Sequence, residues 1–133
     1  MKIDGHCRCG EIAFEAEVDP DALTICHRSD CQMITGSGLS REHRRAGSAI
    51  RAEERHAESY MKMVESGDKR RQVFCGTCGT HIYACAIEDP QSYTLRAGTI
   101  TQRAAFSPRP QIWRRSALEW VDELAKVPAS EKG

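Results

Sequence analysis

Four of the seven cysteines in this 133-residue sequence fall in two close pairs, each followed by glycine. The first pair is Cys7-Arg8-Cys9-Gly10 and the second is Cys75-Gly76-Thr77-Cys78-Gly79. Glycine takes a positive φ and lets backbone N–H groups approach a sulfur. Four thiolates complete the tetrahedral set of a closed structural zinc site. A Cys-x-x-Cys pair alone is also the spacing of a redox dithiol. A second pair with its own glycine turns the reading toward metal.

A third cluster reads Cys26-His27-Arg28-Ser29-Asp30-Cys31. Two thiols with four polar residues between them bracket a metal or an active-site loop. The bland alternative is a pair of buried cysteines acting as small hydrophobes. Cys85 sits in an apolar run and takes that bland reading. His81 follows the second knuckle and is read as either a site residue or a hydrogen-bonded structural histidine.

The elements that must carry these residues are mostly strands. Ile12, Phe14, Ala16 and Val18 alternate with Ala13, Glu15 and Glu17, the period of a half-buried strand. Asp19-Pro20-Asp21 is a turn, and Leu23 to Ile25 is a short strand leading into the third cluster. Ser29 or Asp30 is expected to cap a helical turn through Met33, broken by Gly36-Ser37-Gly38. Residues 60–64 and 71–74 flank Ser66-Gly67-Asp68 and read as a hairpin that delivers Cys75 and Cys78. Residues 81–87 are apolar on both parities, as in a central strand buried on both faces. Residues 93–97 and 111–113 give two more strands. Ser116 with Glu119 is a capping-box pattern and predicts a short helical turn near the end.

Residues 38–58 break the pattern. Arg41-Glu42-His43-Arg44-Arg45 is densely charged, and propensity alone predicts a surface helix over residues 49–58. A remodelled element over the site, a solvated charged face and a compensated shift of reading frame are the competing explanations.

The ordered set Gly5 to Gly10, Cys26 to Cys31 with Thr35-Gly36-Ser37, Phe74 to His81, Gly98-Thr99 and Gln111-Ile112-Trp113 with Ser116 and Trp120 resembles the family of glutathione-dependent formaldehyde-activating enzymes. The resemblance runs from about Lys2 to Leu124. It implies a mainly β, Mss4-like fold of folded sheets around a structural zinc, with Cys7, Cys9, Cys75 and Cys78 as ligands. It also implies a second, catalytic zinc on a Cys-x-Cys-x-x-Cys loop matching residues 26–31. The family reaction joins formaldehyde to the thiol of glutathione and is classed as a carbon–sulfur lyase.

Position 28 departs from that pattern. Arginine has no lone pair for a metal and stays protonated. Cys26 and Cys31 are then an incomplete ligand set, and the second zinc is expected to be absent or weak. His27 is a poor substitute, because neighbouring residues often point apart. Arg28 is instead expected to stand as a fixed cation beside Cys26 or Cys31, favouring a metal-free thiolate nucleophile. Arg28, Arg96 and Arg114 are candidate clamps for the carboxylates of a small thiol such as glutathione.

Three function classes follow: an enzyme acting on a thiol–aldehyde adduct, a non-catalytic zinc-scaffolded binding module, and a thiol redox protein. Nineteen basic and nineteen acidic residues cancel, which argues against nucleic acid and membrane surfaces as partners. Aromatics are 6% of the chain, so the core is modest and a structural metal helps hold it. The N-terminal residues do not form a signal peptide. With an odd number of cysteines, this predicts a reducing, cytoplasmic compartment. The expected organisation is one domain over residues 1–126 and a tail over 127–133.

Overall fold

A computed structural model describes residues 1–47, 51–52 and 56–133, with the backbone alone for 51 and 52. The alternation after Cys9 forms β2 (Ala13–Glu17), paired antiparallel with β1 (Lys2–His6). Ile3, Phe14 and Ala16 turn inward and their neighbours turn to solvent, as a two-residue period requires. β5 (Arg51–Ala52) adds to β2 and completes a three-stranded sheet.

The larger sheet has seven strands. In chain order they are β3 (Leu23–Cys26), β4 (Ser40–Ala46), β6 (Ala57–Met63), β7 (Lys69–Cys75), β8 (His81–Ala86), β9 (Tyr93–Arg96) and β10 (Gln111–Ile112). They lie in the order β10-β3-β4-β9-β8-β7-β6. The pairing of β10 with β3 is parallel and the others are antiparallel.

Its two faces differ. One row runs in register through Leu23, His43, Leu95, Tyr83 and Val73, all buried. Leu95, Tyr83, Val73 and Leu23 join Ile3, Phe14 and Ile100 in one core shared with the smaller sheet. The neighbouring residues point the other way. On that face Gln72 opposes Ala84, Ala84 opposes Thr94, and Glu42 opposes Arg96. It is polar, and it floors the pocket described below.

Several expectations change here. β1 carries no signal in the sequence reading, because Gly5 interrupts its apolar alternation. Gly5 is buried opposite Phe14 and bridges Ile100. A Cβ there would lie 2.5 Å from the Thr99 carbonyl oxygen and run into the Phe14 ring. Backbone cannot move aside cheaply, so Gly5→Ala is expected to cost about 3 kcal/mol and to lower the thermal midpoint by roughly 10 °C in a melting scan.

The first helix, α1 (Ser29–Thr35), begins one residue earlier than expected. Arg28 is its N-cap and makes no side-chain cap bond, while Asp30 ion-pairs with Lys62 of β6 at 2.9 Å. Gly36 closes the helix in the left-handed region, φ 63.

The surface helix expected over residues 49–58 does not form among the described residues, which are strand at 51–52 and from 57. Residues 49–50 and 53–55 of that expectation lie outside the described residues. The charged run before them is β4. Its polar residues tolerate a central strand because Glu42 meets Arg96 across the ladder.

β4 also carries a bulge. His43 pairs with Leu95 and Ala46 with Tyr93, so three steps on β4 match two on β9. Arg45 absorbs the extra residue at φ 60, a conformation that costs a non-glycine residue about 1–2 kcal/mol.

Near the C-terminus the capping box is not made. Ser116 ends one 3-10 turn (Arg114–Ser116), and the next 3-10 segment (Glu119–Lys126) is preceded by Leu118 with no side-chain cap. Leu118, Val121 and Leu124 do not gain a buried helical face. Trp120 lies against Gly38. No helix of the described residues is long and apolar enough to cross a membrane.

Candidate functional site

β1 ends at His6 and hands the chain to the first knuckle. Cys7 N–H donates to the Ile12 carbonyl at 2.9 Å, and Ile12 N–H donates to Cys7 Sγ at 3.3 Å. Gly10 turns the loop at φ 87. β7 ends at Cys75 and hands the chain to the second knuckle. There Cys75 N–H donates to the Thr80 carbonyl at 2.9 Å, and Gly79 turns the loop at φ 75. Arg8 N–H donates to Thr80 Oγ1 at 3.0 Å and ties the two loops together.

The knuckles bring Cys7, Cys9, Cys75 and Cys78 together, with all four sulfurs within 4.8 Å of one another. Thiolates about 2.3 Å from a tetrahedral metal lie about 3.8 Å apart. Cys7 and Cys9 are 3.6 Å apart, and Cys9 and Cys75 are 3.8 Å apart. The cluster therefore has the size of a metal cage. Hydrogen bonds from the Thr80 hydroxyl and backbone hold Cys78 down to about 5, ready to bind as a thiolate. These four residues could hold a metal ion. It is the only group of three or more such ligands among the described residues.

The third cysteine cluster opens on the polar face of the larger sheet. A cavity of about 300 Å³ is lined there by Cys26 from β3, Cys31 from α1, and Arg28 between them. Interaction between the two thiols raises Cys26, with burial adding to the rise, and lowers Cys31 to about 6. Burial and Glu42 oppose that lowering, while Ser40 and Arg96 assist it. Of the two, Cys31 is the one that Ser40 and Arg96 favour as a thiolate.

Arg28 lies over the Trp113 ring at 4.3 Å, with Arg115 at 4.7 Å from the same ring. Its Nε is buried without a hydrogen-bond partner. The charge that helps lower Cys31 is that of Arg96, fixed by a 2.7 Å bond to Glu42 and a 3.3 Å bond to the Gln72 side chain.

The other candidates lie elsewhere. His27 is fully buried, and its Nε2 bonds Gln111 Oε1 at 2.7 Å. His81 lines a separate cavity with Thr35 and Gly98, and burial followed by the Arg96 charge pushes its imidazole down to about 4. Cys85 belongs to the core. The pocket therefore presents two cysteines and an arginine; its one carboxylate, Glu42, is held by Arg96, and no group of three ligands gathers there among the described residues. A metal does not fit this second set.

Of the proposed clamps, Arg28 and Arg96 line the pocket, while Arg114 instead bonds Asp122 at 2.8 Å. Arg44, Arg45, Lys62 and Arg70 also line it. The sequence reading left Arg44 and Arg45 between an element over the site, a solvated face and a frame shift, placed Lys62 in a strand and did not single out Arg70. Alternation would send Arg44 and Arg45 to opposite faces, and the bulge that overrides it has no signature in the residue types.

A family model described as glutathione-dependent formaldehyde-activating enzyme matches residues 2–116. None of the curated proteins matches the chain. A crystal structure of a Rhodobacter sphaeroides protein, solved as a structural-genomics target, superposes with a TM-score of 0.56 at 19% identity. The match covers 81% of this chain and 98% of that one, and at that identity it supports the fold alone.

Proposed function

The chain belongs to the glutathione-dependent formaldehyde-activating enzyme family, and on that premise we propose that it makes and breaks the carbon–sulfur bond of a thiol–aldehyde adduct beside Cys26 and Cys31. S-hydroxymethylglutathione is the adduct of the family reaction. The observation that carries the reading is the pair of cysteines lining one cavity, with Cys31 lowered toward the thiolate and Cys26 raised.

The all-thiolate set of Cys7, Cys9, Cys75 and Cys78 favours zinc. Zinc there would cross-link two loops and leave no open position for substrate. The chemistry therefore falls to the pocket residues. In the direction of adduct formation, the Cys31 thiolate takes the proton of the substrate thiol. The substrate sulfur attacks the aldehyde carbon, and the carbonyl π pair moves to oxygen. That oxygen takes the Cys26 proton, and Cys31 returns its own proton to Cys26, which restores both groups. Reversing the order breaks the bond. The unpartnered Arg28 Nε offers a donor to the oxygen as charge grows there. Holding thiol and aldehyde together removes much of the entropic cost of a two-body step.

The test is the rate of adduct exchange between a small thiol and formaldehyde, followed by NMR. Cys31→Ser is expected to slow the protein-dependent rate by about 100-fold or more, the usual loss for a general base. With Cys31 lowered to about 6, that rate is expected to rise with pH through about 6 and then level off. Below this range Cys31 binds its proton and the base is lost. A second reading, a binding module without turnover, draws on Arg28 at the ligand position. It predicts that the adduct binds while its exchange is no faster than in buffer.

A further inference from the structure

The thiol pocket has more positive charge than the proposed reaction uses. Six cationic side chains line it (Arg28, Arg44, Arg45, Lys62, Arg70 and Arg96), against one lining carboxylate, Glu42. Lys62 is paired with Asp30, and Arg96 with Glu42. Among the described residues, Arg28, Arg44, Arg45 and Arg70 have no carboxylate partner. The chain as a whole is neutral, so this is a local concentration of charge.

Three details show that the concentration is built in. Arg70 stands directly opposite Lys62 on the neighbouring strand, a like-charge pairing that is destabilising in itself and in which Asp30 neutralises Lys62 alone. The β4 bulge turns two consecutive residues, Arg44 and Arg45, to the same cavity. Bulges next to sites re-aim side chains in this way. The floor residue Arg96 is only 7% exposed, and its Nε is left without a partner.

Glutathione has two carboxylates and one ammonium, which leaves it close to a single net negative charge. That is too little for four unpaired guanidinium groups. A phosphate ester brings about two negative charges and three strong acceptor oxygens, and the arginine fork matches it in two-point contacts. We infer that the pocket receives a phosphate-bearing ligand, clamped by Arg44, Arg45 and Arg70. The phosphate is carried by the thiol substrate or arrives as a free oxyanion. The inference rests on the proposed reaction only in setting the thiol end beside Cys26 and Cys31.

Calorimetric titration of the reduced, metal-loaded chain tests it with four probes: pantetheine, 4′-phosphopantetheine, inorganic pyrophosphate and reduced glutathione. Phosphopantetheine is expected to bind roughly tenfold more tightly than pantetheine or glutathione, with a gain that shrinks as salt rises. Arg45→Gly is expected to remove most of that gain without lowering the thermal midpoint, because glycine accepts the positive φ at this position. Arg103→Ala, on an exposed 3-10 turn away from the pocket, is expected to leave it unchanged.

Tight pyrophosphate binding with no advantage for the phosphorylated thiol assigns the site to a free oxyanion and upholds it. Equal affinity for the two pantetheines together with no pyrophosphate binding overturns it. So does a phosphate gain that survives in Arg45→Gly/Arg70→Ala. Phosphate binding without adduct exchange removes the proposed reaction and leaves this site standing, and the reverse result does the opposite.

Discussion

Stripping the metal from Cys7, Cys9, Cys75 and Cys78 abolishes the cooperative thermal transition of this chain, and Cys75→Ser does the same without a chelator. Those are the expected results, and magnitudes set the expectation. A structural zinc on thiolates contributes about 10–16 kcal/mol of apparent folding free energy at neutral pH. A whole domain is stable by only about 5–15 kcal/mol. Little else replaces the clip here. Aromatics are 6% of the chain and mean hydropathy is −0.54.

The clip's position adds to its weight. It joins the β1–β2 connection to the β7–β8 connection, and so pins the small sheet against the large one at one end. The measurement is a melting scan in a reducing buffer with and without a strong chelator, followed by re-addition of zinc. Loss of the transition and its return with zinc would identify the cage as part of the fold. A metal-free chain that melts cooperatively at the same temperature would mean that the sulfurs only happen to lie close together.

That cage was legible from sequence because its chemistry is local. Two cysteines and a glycine define each knuckle, and the four sulfurs need only meet. The hairpin of β6 and β7 was legible for a similar reason: two strand-like arms flank a Ser-Gly-Asp turn in which Gly67 takes φ 86. The central strand β8 showed as an apolar run.

β4 was not legible. Arg41 to Arg45 read as solvated charge, yet Glu42 is buried there because Arg96, fifty-four residues away, neutralises it. A buried ion pair of this kind is invisible to propensity, since each partner alone argues against burial. The bulge that turns Arg44 and Arg45 to one cavity follows from how β4 meets β9. The start of α1 shows the same limit. Ser29 and Asp30 are good capping types, but Lys62 draws Asp30 into an ion pair and Arg28 occupies the cap.

Arg28→Cys turns a chain that binds one zinc into a chain that binds two. Cys26 and Cys31 already face one cavity, and residue 28 lines the same cavity between them. The substitution supplies a third thiolate, the number of protein ligands in catalytic zinc sites that keep an open position. It also removes a guanidinium that lines the same cavity, and a neighbouring cation disfavours a dication in a partly buried site. The two changes act in the same direction, so the count is expected to move by a whole zinc per chain. Elemental analysis of parent and variant, both purified reduced and cleared of loosely held metal, reads it directly.

The variant also separates the two functional readings. If adduct exchange in the parent runs through Cys31 as a free base, binding a metal to that sulfur removes the base, and the rise of rate through about pH 6 disappears in the zinc-loaded variant. If the parent has no activity and the variant gains it, position 28 is where this chain left catalysis, and the pocket serves binding alone. Two zincs already present in the parent would overturn the metal-free account. Cys26 and Cys31 would then have a third partner, with Glu42, the one carboxylate lining the cavity, the first to test.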